Sequence, residues 1–71
     1  MTNVTVKPPF IKLDQLLKFA NVIYSGGEAK TVITEGMVMV NGEVCTMRGK
    51  KIYDGYVVSF IGEEFKVCIS E

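Results

Sequence analysis

The sequence predicts an α+β fold, two antiparallel helices on a small, mostly antiparallel sheet, and three observations predict it. Leu13, Leu16, Leu17 and Ala20 recur at the i, i+3, i+4, i+7 spacing of a single helix face. The segment Ser25 to Gly42, SGGEAKTVITEGMVMVNG, reads as a capped helix, a glycine stop, an alternating strand and a tight turn. Everything after Gly36 falls into short apolar or alternating stretches bounded by Gly, Asn and Asp, the punctuation of strands.

Taken in order, Asn3-Val4-Thr5-Val6 alternates and is rich in β-branched residues, so it predicts a short edge strand. Pro8-Pro9 stops any regular element and turns the chain. The leucine-faced helix follows. Asp14 in its first turn suits the helix dipole and is placed to pair with Lys18 one turn later. Asn21 and the β-branched Val22-Ile23 end it. In the second helix Ser25 and Glu28 have the S-x-x-E spacing of a capping box, in which each side chain satisfies an orphan backbone N–H. Ala29, Val32 and Ile33 face inward, and Lys30, Thr31 and Thr34 outward. Gly36 is the carboxy-terminal cap. Met37 to Val40 forms a strand, Asn41-Gly42 a type I′ hairpin turn, and Glu43-Val44-Cys45 the return. Met47 to Lys51 is a basic loop; Tyr56 to Ile61 and Phe65 to Ile69 are strands joined by a turn at Gly62-Glu63-Glu64.

Seventy-one residues, 48% of them hydrophobic, suffice for one folded domain with one small core, spanning residues 1–71. Formal net charge is zero, which argues against indiscriminate polyanion binding. The distribution is uneven. Residues 36–53 carry Arg48, Lys50 and Lys51 against Glu43 alone, and residues 54–71 carry Lys66 against Asp54, Glu63, Glu64 and Glu71. With two cysteines and no histidine there is no metal-ligand cluster, so no cofactor or metal is expected. Cys45 and Cys68 read as reduced strand residues; if bridged, they would pair across neighbouring strands. Met1 to Phe10 lacks the apolar core of a signal peptide, and no run reaches membrane-spanning length. A cytoplasmic monomer without a membrane partner is the expectation. No nucleophile with an adjacent base is in evidence, and Asp14 and Asp54 lie too far apart in sequence to argue for an acid–base pair, so no enzyme is expected.

Two features point to an anionic partner. Gly26-Gly27 keeps side chains off the start of the second helix, where exposed N–H groups suit a phosphate. The run Arg48-Gly49-Lys50-Lys51 combines a bidentate phosphate ligand with flexible charge. Each has a plainer reading. Ser25 is first a helix cap, Gly26-Gly27 also suits a tight turn, Lys12 and Lys30 also suit solvated charge, and a short basic run also suits a soluble loop. Tyr24, Tyr53 and Tyr56 suit stacking on bases, but one or more of them reads first as packing at the core edge with its hydroxyl in water.

The order and spacing of these elements resemble the S4 RNA-binding domain. Lys12-Leu13-Asp14 matches the basic residue and Leu-Asp that open its first helix. Ser25, Ala29-Lys30, Ile33, Gly36, Val38 and Val40-Asn41-Gly42 follow its second helix and hairpin, and Lys51 with Gly55-Tyr56 its later part. The likeness covers residues 11–61 and is similar in wording to small free-standing bacterial members. Two positions depart: Lys12 stands for arginine, and Gly55-Tyr56 for Gly-Asp, with Asp54 displaced before the glycine. The resemblance implies an S4-like (alpha-L) fold and non-catalytic binding of structured ribosomal or transfer RNA, in free form or within ribosomal particles, serving ribosome assembly or translation. The residues it implies at the interface, with the helix-start residues added, are Lys12, Ser25, Gly26, Gly27, Lys30, Thr31, Arg48, Lys50 and Lys51. A rival reading is a protein-interaction module that uses the methionine-rich strand face, Met37 and Met39 with Met47 beside it.

Overall fold

A computed structural model describes residues 1–70; Glu71, counted above in the acidic tail, lies outside the described residues. The chain runs β1 (Thr2–Val6), β2 (Ile11–Lys12), α1 (Leu13–Phe19), α2 (Gly26–Thr34), β3 (Val38–Val40), β4 (Glu43–Val44), β5 (Lys51–Ile52), β6 (Val57–Phe60) and β7 (Glu63–Ile69). Five strands form one sheet in the order β1-β7-β6-β3-β4; β2 and β5 form a separate two-stranded ribbon. Only the β1–β7 pairing is parallel among the described strands.

Period-2 alternation decides which sheet face is buried. Val4 and Val6, Val38 and Val40, Val58 and Phe60, and Phe65 and Val67 all point inward. The register sets these side chains opposite one another: Val4 meets Val67, Val58 meets Phe65, and Val38 meets Phe60. Leu13, Leu16 and Leu17 from α1, Ala29 and Ile33 from α2, and Ile23 from the link between the helices close the core over that face. No polar or charged side chain is buried among the described residues. The chemistry of the molecule is therefore presented on its surface.

Both helices end in the same way. At α1 the Val22 N–H donates to the Leu17 carbonyl and Asn21 N–H to Lys18, with Asn21 at φ 61°. At α2 the Met37 N–H donates to Val32 and Gly36 N–H to Ile33, with Gly36 at φ 78°. These are Schellman closures, built on the residue types that enter the left-handed region most cheaply. The Asn41-Gly42 turn also forms as expected, and the Asn41 side-chain carbonyl accepts the Val57 N–H at 2.9 Å, tying the hairpin to β6.

Several expectations need correction. Lys51 lies in β5 rather than in the basic loop, because Lys51-Ile52 pairs with Ile11-Lys12. The β6–β7 turn is Ile61-Gly62, and Glu63 and Glu64 already belong to β7. Ile61 holds φ at 47°, an unusual conformation for a β-branched residue. Cys45 lies just past β4, outside any strand, and Cys68 lies in β7; β6 and β3 separate β7 from β4, so the two are not on neighbouring strands. Asp14 turns its carboxylate onto the Gln15 N–H at 2.8 Å instead of towards Lys18. Only the serine half of the capping box forms among the described residues: Ser25 Oγ accepts the Glu28 N–H at 3.2 Å.

Candidate nucleic-acid interface

The basic surface begins with the β2–β5 ribbon. Its register places Ile11 opposite Ile52 and Lys12 opposite Lys51. Ile52 is fully buried, so the pleat turns both lysines outward. Like charges directly opposed on a strand pair are destabilising, so the ribbon holds two cations together at a cost to the free protein. The Lys51 ammonium also sits 5.1 Å from the centre of the Phe10 ring, within cation–π range.

The loop before β5 joins this pair through its backbone. Lys12 occupies the cap position of α1, extended at φ −75° and ψ 147°, and its side chain caps nothing. The orphan N–H groups of that helix start find loop carbonyls instead: Leu13 N–H donates to Lys50 at 2.9 Å and Asp14 N–H to Arg48 at 3.1 Å. The loop is folded tightly enough to present them, with Lys50 N–H donating to the Met47 carbonyl at 3.1 Å. The backbones of Lys12, Arg48, Lys50 and Lys51 are thus brought together at the start of α1. Among the described residues, the side-chain hydrogen bonds engage none of these four cations.

The start of α2 forms a second group. Ser25 caps it, and Gly26 and Gly27 are its first two helical residues, exposed and with open space where a Cβ would stand. Neither glycine has positive φ, so the fold itself does not require glycine there. Lys30 is exposed one turn on. Thr31 donates its hydroxyl proton to the Gly27 carbonyl at 3.0 Å, which leaves only acceptor capacity for a ligand. No described contact joins this group to the first; α1, about 10 Å long at its seven residues, lies between Lys12 and the link to Ser25.

Sequence reasoning missed two parts of this region. Asp54 is structural: its carboxylate accepts the Ile69 N–H at 2.8 Å and ties the turn after β5 to the end of β7. Phe10, Tyr53 and Tyr56 form an aromatic row with centroids 5.8 Å apart at each step, at interplanar angles of 59° and 68°. Tyr24 joins no packing at the core edge, being 85% exposed. The spacing of Tyr53 and Tyr56 around a Gly was the available signal for their contact; Phe10 lay too far away in sequence.

Comparison with known proteins places this geometry. The family model of the S4 domain matches residues 4–68. The chain is 44% identical over 59 residues to the "Probable ribosome maturation protein RlbA" of Bacillus subtilis (strain 168), covering 83% of each chain. It is 43% identical over 61 residues to the "Putative RNA-binding protein YbcJ" of Escherichia coli (strain K12), covering 86% of this chain and 87% of that one. The solution structure of Escherichia coli YbcJ, described as revealing an alfaL motif involved in RNA-binding, superposes with a TM-score of 0.73 at 39% identity, over 96% of this chain and 87% of that one. By family model, sequence and structure alike, the chain belongs to the S4 domain family.

Proposed function

We propose that the protein is a non-catalytic binder of structured RNA, ribosomal or transfer, acting in ribosome assembly or translation. The observation that carries this reading is the capping of α1 by the Lys50 and Arg48 carbonyls, together with the Lys12–Lys51 register. Those two devices bring the backbones of four basic residues together on a chain of zero net charge, which supports the reading. Duplex RNA hides its base edges in a deep groove, so a surface of this kind reads backbone and shape. Lys12, Arg48, Lys50 and Lys51 contact phosphates directly, and Gly26 and Gly27 offer backbone N–H groups to another, with Lys30 beside them. The relatives' names, one in ribosome maturation and one in RNA binding, support the same partner class.

The test is the salt dependence of binding to a structured RNA. Neutralising four or five phosphates gives a log–log slope of about −3 to −4. Replacing Arg48, Lys50 and Lys51 together with alanine leaves the capping carbonyls in place. The fold should persist while affinity at 0.1 M salt drops on the order of a hundredfold and the slope flattens by about two to three. A folded triple variant that binds as well as the parent puts the site elsewhere.

A second reading has one observation in its favour. Met39 and Val44 are cross-strand partners, 38% and 60% exposed on the sheet face away from the helices, with Met37 47% exposed beside them. That apolar patch suits a protein partner. Co-migration with ribosomal particles that survives nuclease treatment would favour it; loss on nuclease treatment favours RNA.

A further inference from the structure

Beside the cations lies a cleft of about 440 Å³ between the β3–β4 hairpin and the basic loop, lined among others by Asn41, Glu43, Thr46, Met47, Lys50 and Tyr56. Its size falls in the range of ligand pockets, about 300–1,000 Å³. We infer that this cleft receives one unstacked nucleotide of the bound RNA, its base on the Tyr56 ring and its phosphate at Lys50. The inference rests on the RNA-binding reading and adds the kind of RNA: a helix interrupted by an unpaired residue.

Three features support that occupant. Lys50 lines the cleft while its carbonyl caps α1 next to Lys12, so an RNA backbone passing the α1 start is led to the cleft. Tyr56 is anchored through its backbone. Its N–H donates to the Tyr53 carbonyl at 3.1 Å around a turn with Gly55 at φ 86°, and its carbonyl accepts the Val67 N–H at 2.9 Å. Tyr53 buttresses it edge to face, and Phe10, under Lys51, supports Tyr53 in turn. A fixed aromatic ring next to phosphate-binding cations is the arrangement by which unstacked bases are recognised. Third, Glu43 also lines the cleft. An ionised carboxylate only accepts hydrogen bonds, so it repels the phosphate and accepts the N–H groups of a base edge. The nucleotide is thereby oriented, phosphate towards Lys50 and base towards Glu43.

The experiment compares a blunt RNA duplex with the same duplex carrying one bulged adenosine, replaced by 2-aminopurine for fluorescence. The wild-type chain should bind the bulged duplex on the order of tenfold more tightly. Its binding should quench the fluorophore. Tyr56→Phe should keep both effects. Tyr56→Leu should erase the preference while leaving affinity for the blunt duplex unchanged. If that variant does not fold, quenching by the wild-type chain decides the matter. Equal affinity for the two duplexes, or a bulge preference without quenching, overturns the cleft assignment and leaves the RNA-binding reading standing. Binding to neither duplex overturns the RNA-binding reading and the cleft assignment with it.

Discussion

The two helices of this molecule begin in opposite ways. Helix α2 is capped locally: Ser25 immediately before it accepts the Glu28 N–H, and at Gly26 and Gly27, which precede the first intrahelical bond, a Cβ would stand in open space. Helix α1 is capped from a distance. Lys12 contributes no side-chain cap, and carbonyls from Arg48 and Lys50 close the first turn. A local cap leaves backbone donors available to an incoming anion. A remote cap consumes them, and in return fixes two cationic residues beside a third. The proposed interface would therefore use backbone at one helix start and side chains at the other, and only the second depends on the whole fold being in place.

That contrast can be broken at its structural pin. Ile52 is fully buried and holds β5 against β2. Ile52→Ala should cost about 2–5 kcal/mol, read from a denaturant titration. Amide exchange should show Leu13 and Asp14 losing protection while Glu28 and Ala29 keep more of theirs, since their acceptors lie within the α2 cap. Equal loss at both helix starts would mean that the loop is not what holds α1 closed.

Much of the framework was readable beforehand, and the reasons differ by element. The apolar face of α1, the Ser25 cap, Gly36 and Asn41-Gly42 each obey a local rule, so residue types a few positions apart disclose them. The β2–β5 ribbon was hidden because two-residue strands carry no measurable alternation. The remote cap was hidden because backbone carbonyls leave no trace in residue identity. Ile61 reads as a strand residue yet occupies a left-handed turn, since the Phe60–Glu63 register leaves only two residues to reverse the chain. The four basic residues were legible as candidates. The contacts that join their backbones were not, for those two reasons.

The local cap is probed by Ser25→Ala, which should destabilise the protein by about 1 kcal/mol through loss of the bond to the Glu28 N–H, measured by chemical denaturation. A loss near zero would show that water replaces the serine without penalty. The smallest expected effect is also the most discriminating. Gly27→Ala meets no steric conflict, so it should stabilise the free protein by about 0.4–1 kcal/mol. If the α2 start takes a phosphate, the same substitution crowds that approach and RNA affinity should fall several-fold. Greater stability with unchanged affinity would restrict the interface to the α1 side.

The central claim concerns where RNA lies on the surface, and backbone amide NMR during titration with a structured RNA addresses it most directly. The account predicts shift changes concentrated at residues 12–14 and 47–52, with a second set at 25–30. Changes confined to Met37, Met39 and Val44, with the basic loop and both helix starts unmoved, would contradict it.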